Sequence, residues 1–278
     1  MSAICSCVNG KTTSVIALTA VGMISSSTMA SVTAPVVSML WDASGDSVGQ
    51  QVYNMNSEST EINDLGVAGW QFLGGTSGAI PSGGGDSPWS MQWDIRASGP
   101  SNVAGGSTAE FVNANLAVTN NTGGFQTFWA LVTVNIAGFT NETVNMRGSV
   151  SGTVTDLLGD GAILRNQSAG PFAGDPMYQG LIGGVSARTM WPNGTAVNAG
   201  AFGSNGDGDT FGFPGDGGFE SFNVVGSATT ISVWLKVELS GFDIGTTVGS
   251  LEVYAAPAPG ALALLGLGGL VGSRRRRS

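Results

Sequence analysis

Ile231, Val233, Leu235, Val237 and Leu239 take every second position of one run, with Ser232, Trp234, Lys236, Glu238 and Ser240 between them. A period of two places one set on a buried face and the other on the opposite face of a strand. The same alternation occurs in Trp89, Met91, Trp93 and Ile95, and again in Val112, Ala114, Leu116 and Val118. Shorter strand-like runs lie around Val36 to Leu40, Gln51 to Met55, Val67 to Leu73, Thr143 to Thr155, Phe219 to Val225 and Ser250 to Tyr254. With 45 Gly and only 10% charged residues among 278, long helices are disfavoured and tight turns are frequent. About ten short strands with Gly-rich connections predict an all-β fold, an antiparallel β-sandwich of jelly-roll type. No stretch has the helical crossover of a dinucleotide-binding unit.

Within that frame, "TNNTGG" at Thr119 to Gly124 supplies the Asn and Gly of a tight turn, so Thr119 to Ile136 reads as a hairpin. Asp156 to Gly218, rich in Gly, Pro, Asn and Asp, reads as long loops with one or two strands.

The two ends differ from the body. Lys11, an apolar run from Val15 to Ile24 and small residues ending at Ala30 have the form of a secretory signal peptide, which signal peptidase would cut between Ala30 and Ser31. At the other end Pro257-Ala258-Pro259 precedes the apolar segment Gly260 to Gly272 and the cluster Arg274, Arg275, Arg276 and Arg277. As a helix, Ala261 to Gly272 would reach about 18 Å against the roughly 30 Å of a bilayer core, too short for a comfortable permanent span. The arginines would stay on the cytoplasmic side, giving a transient membrane insertion. The expected organisation is a signal peptide over 1–30, a β-sandwich ectodomain over 31–255 and a sorting segment over 256–278.

That C-terminal arrangement resembles the PEP-CTERM sorting signal of exported bacterial proteins, in which Pro257, Pro259, Gly260 and Arg274 to Arg277 occupy the motif positions. The family usually carries Glu between the prolines, where this chain has Ala258. The resemblance implies a short hydrophobic sorting helix, processing by an exosortase, and delivery to the cell envelope, cell surface or extracellular matrix. It also implies association with exopolysaccharide and biofilm.

Chemistry is restricted by what the chain lacks. Histidine is absent, and both cysteines, Cys5 and Cys7, precede the cleavage site, so His-based triads, Cys nucleophiles and Cys-ligated metals are excluded from the mature protein. Between Ser31 and Ala256 five basic residues face all 19 acidic ones, a balance that repels nucleic acid. In "GSNGDGDTFGFPGDGG" (Gly203 to Gly218), Asn205, Asp207 and Asp209 alternate ahead of Asp216 and have the oxygen chemistry of a calcium loop. The alternative is a Gly/Asp turn that binds nothing. Asp156 and Asp160 form a sparser version. No cofactor is implied beyond that calcium.

Seven tryptophans are present, and Trp129 and Trp234 fall on the polar phase of their strands, where they would either stack sugars or pack beneath loops. Glu110, Glu142, Glu220 and Glu238 are the acids from which a glycan hydrolase would draw its carboxylate pair, with no spacing that singles one out. The expected role is an exported, non-catalytic structural or adhesive protein associated with extracellular polysaccharide. A carbohydrate-binding module is the second reading, and a carboxylate-dependent glycan hydrolase the third.

Overall fold

The computed structural model describes residues 35–43, 47–54, 60–62, 68–79, 85–98, 109–168 and 172–255. The expected signal peptide and sorting segment lie outside the described residues. Among those described, no helix is long and apolar enough to cross a membrane.

In chain order the strands are β1 (Val36–Ala43), β2 (Ser47–Asn54), β3 (Thr60–Ile62), β4 (Ala68–Ser77), β5 (Trp89–Ser98), β6 (Ala109–Asn120), β7 (Gln126–Thr140) and β8 (Thr143–Asp156). They continue as β9 (Ala162–Arg165), β10 (Tyr178–Ile182), β11 (Val185–Met190), β12 (Ala196–Ala199), β13 (Ser204–Phe211), β14 (Glu220–Asn223), β15 (Ser227–Leu239) and β16 (Asp243–Ala255). A first sheet runs β11-β10-β15-β7-β1-β2, with β9 beside β15 and β12 beside β9. The second runs β13-β8-β16-β6-β5-β4-β3, with β14 extending the edge along β8. Both sheets are antiparallel, and one apolar core formed from both lies between them.

The alternation read from the sequence is what builds that core. Trp89, Met91, Trp93 and Ile95 of β5 are buried, as are the five apolar residues of β15, each contributing roughly 1.5–3 kcal/mol by leaving water. Opposite the largest side chains the second sheet presents glycine. A Cβ on Gly249 of β16 would come within 2.8 Å of Leu235 and Val233 on β15 and 3.1 Å of Tyr178 on β10. That approach lets the buried Tyr178 hydroxyl reach across the core and donate to the Ser250 carbonyl at 2.7 Å.

Two expectations are corrected here. The residues β6 and β7 do not form a hairpin: β6 lies in the second sheet between β5 and β16, and β7 in the first between β1 and β15. The turn between them carries the chain from one sheet to the other. Its pivot is Asn120, fully buried, whose amide donates to the carbonyls of Gly124, Leu239 and Ser240 at 2.7, 3.1 and 2.9 Å. Its carbonyl oxygen accepts from the Thr122 N–H at 2.9 Å, turning the chain out of the sheet. Asn and Gly satisfy an arch between sheets as well as a hairpin within one, and only those distant carbonyls decide between them.

Likewise, Asp156 to Gly218 holds five strands, β9 to β13, rather than one or two. These strands are short, and their ladders to β8 and β15 supply the order that the local composition does not. Replacing Asn120 by Ala removes a donor from three backbone carbonyls and is expected to lower unfolding free energy by about 3 kcal/mol in urea titrations. Asn121→Ala, in the exposed part of the same turn, should cost under about 1 kcal/mol. Gly249→Ala should cost about 1–3 kcal/mol through overpacking of the same core.

Candidate functional site

The calcium-loop residues sit on regular structure rather than in a loop. Asn205, Asp207 and Asp209 occupy alternate positions of β13, an edge strand paired along its length with β8. Asp216 closes a single 3-10 turn over Pro214–Asp216. Asp207 Oδ1 accepts from the Gly208 N–H at 2.8 Å and Asp209 Oδ1 from the Thr210 N–H at 2.9 Å. Asn205 donates to the Asn198 carbonyl at 2.8 Å, and Thr210 Oγ1 to Asp216 Oδ2 at 2.8 Å. Among the described residues no three Asp, Glu, His or Cys side chains gather into a metal-holding group. Charges at this position also keep an edge strand from pairing with another chain.

Trp129 and Trp234 lie half-buried on the outer face of the first sheet. They meet edge to face, 6.1 Å apart and inclined at 69°, so they offer no shared flat platform. Phe172, from the segment before β10, packs on both at 5.5 and 4.8 Å. Lys236 is buried beneath it, 4.1 Å from the Trp234 ring, and its Nζ donates to Asp175 Oδ2 at 2.9 Å. Burial pulls the Lys236 ammonium below its ordinary value, while the hydrogen bond and charge of Asp175 oppose that pull. The strap holding Phe172 and Asp175 is remote in sequence from both strands, so the two tryptophans by themselves read as exposed.

Each of the four glutamates is already engaged by another group. Buried Glu110 accepts from Ser98 Oγ at 2.8 Å, and buried Glu238 from Arg165 Nε at 2.8 Å and Ser168 Oγ at 2.7 Å. Glu220 pairs with Arg188 at 3.3 Å, and Glu142 accepts from the Thr140 N–H at 3.1 Å.

A pair that sequence spacing did not reveal is Asp156 and Asp243, directly opposite across β8 and β16 and both buried. Burial would raise the Asp156 carboxyl, but N–H groups of Gly159, Phe202, Gly161 and Leu158 donate to it and hold it below its ordinary value. Burial raises Asp243, with the Asp156 and Asp160 charges adding to the rise and bonds from Ser240 Oγ and the Leu157 N–H opposing it. One oxygen of Asp243 is buried without a partner. The arrangement ties the 157–161 turn and Phe202 to the end of the second sheet.

A different chemistry appears on the outer face of that sheet, where register aligns side chains in rows across the strands. One row is Leu73, Asp94, Asn115, Val248 and Ser151, and the next is Gly75, Gln92, Ala117, Thr246 and Thr153. Further toward β13, hydroxyls pair between strands, Ser149 with Ser250 at 2.8 Å and Thr155 with Ser204 at 2.7 Å. At the β4–β6 end the rows enclose a depression of about 350 Å³ lined by Leu73, Gly74, Gln92, Trp93, Asp94, Asn115 and Ala117. Both oxygens of Asp94 accept from Gln71 Nε2 at 3.0 Å, and Oδ2 also faces Arg96 at 3.4 Å. Nothing in the sequence separates Asp94 and Asn115 from other polar residues of alternating strands; only register unites them.

Against models of protein families, curated proteins and solved structures, the chain shows no match.

The opposed carboxyls have opposite pH signatures. Asp156, held low, stabilises the fold above its unfolded value and loses that contribution as pH falls through its folded value. Asp243, held above its ordinary 3.8, favours the fold at low pH and loses that contribution as pH rises through its folded value. Asp243→Asn is therefore expected to raise the denaturation midpoint at pH 7 and to remove the stability that Asp243 returns to wild type as pH falls from 7 toward its ordinary value of 3.8. Asp156→Asn should lower the midpoint at pH 7, because one amide oxygen cannot serve four donors. Chemical denaturation of both variants across that pH range checks this.

Proposed function

We propose that this chain is an exported, non-catalytic protein of jelly-roll type, acting as a structural or adhesive component of the cell envelope or extracellular matrix. In this reading signal peptidase releases it at Ala30–Ser31. The segment from Pro257 to Arg277 then holds it transiently in the membrane until an exosortase-type enzyme processes it, leaving it among extracellular polysaccharide.

The observation that carries the reading is the strand from which the tail departs. β16 ends at Ala255, two residues ahead of Pro257, and lies inside its sheet between β8 and β6. It is laddered from Ile244 to Tyr254 with β6 and from Asp243 to Ala255 with β8. Antiparallel hydrogen bonds run perpendicular to the strands, so tension on the C-terminus shears both ladders together instead of peeling one bond at a time. A protein tethered at this end and loaded through its surface is gripped by its best-supported strand. The repeated passage of the chain between sheets, at the Asn120 turn and from β15 to β16, supports the jelly-roll description.

Fractionation of cells expressing the full chain tests this. Replacing Pro257 and Pro259 together by Ala is expected to leave a longer precursor in the membrane fraction, by immunoblot and mass spectrometry. A variant of unchanged size and distribution removes the sorting role.

A second reading, carbohydrate binding, is favoured by the depression on the second sheet rather than by the tryptophans.

A further inference from the structure

We propose that the outer face of the second sheet is a binding site for a neutral hexose polymer, centred on Leu73, Asp94 and Asn115 and continuing across the strands toward β8. The inference rests on the exported, polysaccharide-associated reading for its biological setting, but its chemistry stands on the site alone.

Leu73, Asp94 and Asn115 are register partners on β4, β5 and β6, so their side chains emerge side by side on one face. Each has a different task toward a pyranose ring. Leu73, 67% exposed, is an apolar knob on a polar sheet and can pack against the C–H face of the ring. Asp94 offers lone pairs to two adjacent hydroxyls, and charge-assisted bonds of that type are roughly twice as strong as neutral ones. Asn115 supplies an amide donor and an acceptor beside it. Gln71 already holds both oxygens of Asp94 in place at 3.0 Å, so little side-chain freedom is lost when a ligand arrives. The cavity of about 350 Å³ is at the small end of the roughly 300–1,000 Å³ typical of ligand pockets.

The surface beyond the depression explains a polymer rather than a single sugar. Past Gln92 small side chains continue the row from Ala117 through Thr246 to Thr153, leaving room for a chain lying across the strands. Strands about 4.8 Å apart make the path from β4 to β8 roughly 19 Å long. Charge decides the ligand class. Arg96 offsets the Asp94 charge locally, 3.4 Å from its Oδ2, but with five basic residues against 19 acidic ones the body as a whole repels a uronic-acid polymer and not a neutral one.

The test is affinity electrophoresis of the full chain in mild detergent, through gels containing dextran, laminarin, galactomannan or alginate. Retardation by at least one neutral polymer and not by alginate is expected, with affinity falling at least tenfold in Asp94→Asn and in Asn115→Ala. Leu73→Ser, at an exposed position that does not support the core, should show a comparable loss at an unchanged melting midpoint. No retardation by any neutral polymer, equal retardation by alginate, or wild-type affinity in all three variants overturns the site. Tail processing is measured separately. A correctly processed protein that binds no neutral polymer overturns only this inference, and one that binds without being processed overturns only the delivery.

Discussion

The separation between the two sheets depends on glycine. Gly249 and Gly152 on the inner face of the second sheet lie under Tyr178, Leu235, Leu164 and Trp191, and a Cβ at either would sit within about 3 Å of those side chains. With no side chain there, large residues of the first sheet and its connections sink against the backbone of the second. The buried Tyr178 hydroxyl then finds the Ser250 carbonyl, satisfying a polar group that would otherwise be costly to bury. A high glycine count therefore serves close packing as well as turns.

Polar ties close the ends of this apolar interface. Asn120 connects the turn after β6 to the carbonyls at the end of β15, and Asp156 gathers four N–H groups from the 157–161 turn and from Phe202. Both are fixed points where the chain changes sheet or direction, and both rely on partners that the sequence does not place nearby. On the first sheet, Phe172 and the Lys236–Asp175 pair cover an outer face that would otherwise expose two tryptophans. Among the described residues the outer face of the second sheet has no comparable cover over β4 to β6, and Leu73 stands out from it. That asymmetry directs attention to the second sheet for binding.

Alternation was legible wherever one face of a strand is buried and the other is not, because the two-residue period is a local property of the backbone. It located β5, β6 and β15 and the burial of their apolar sets. It failed for β9 to β13, where strands of four to eight residues carry Gly, Asn and Asp and are held by ladders to remote partners. The Asn-Gly turn at 120–124 was legible as a turn but not as an arch, since the carbonyls that bind Asn120 come from Leu239 and Ser240. Asn205, Asp207 and Asp209 resembled a loop because their glycines permit one, yet an extended partner, β8, makes the same residues a strand.

Composition and periodicity, acting through steric preference and the burial of apolar faces, determined that this chain is all-β, acidic and without histidine, with both cysteines, Cys5 and Cys7, ahead of the body. They also marked both ends as distinct from the body. Tertiary structure alone decided which strands share a sheet, that Trp129 and Trp234 lie under a strap, and that Leu73, Asp94 and Asn115 stand in one row. Those outcomes depend on register and on contacts between residues far apart in the chain, for which local sequence carries no energy term.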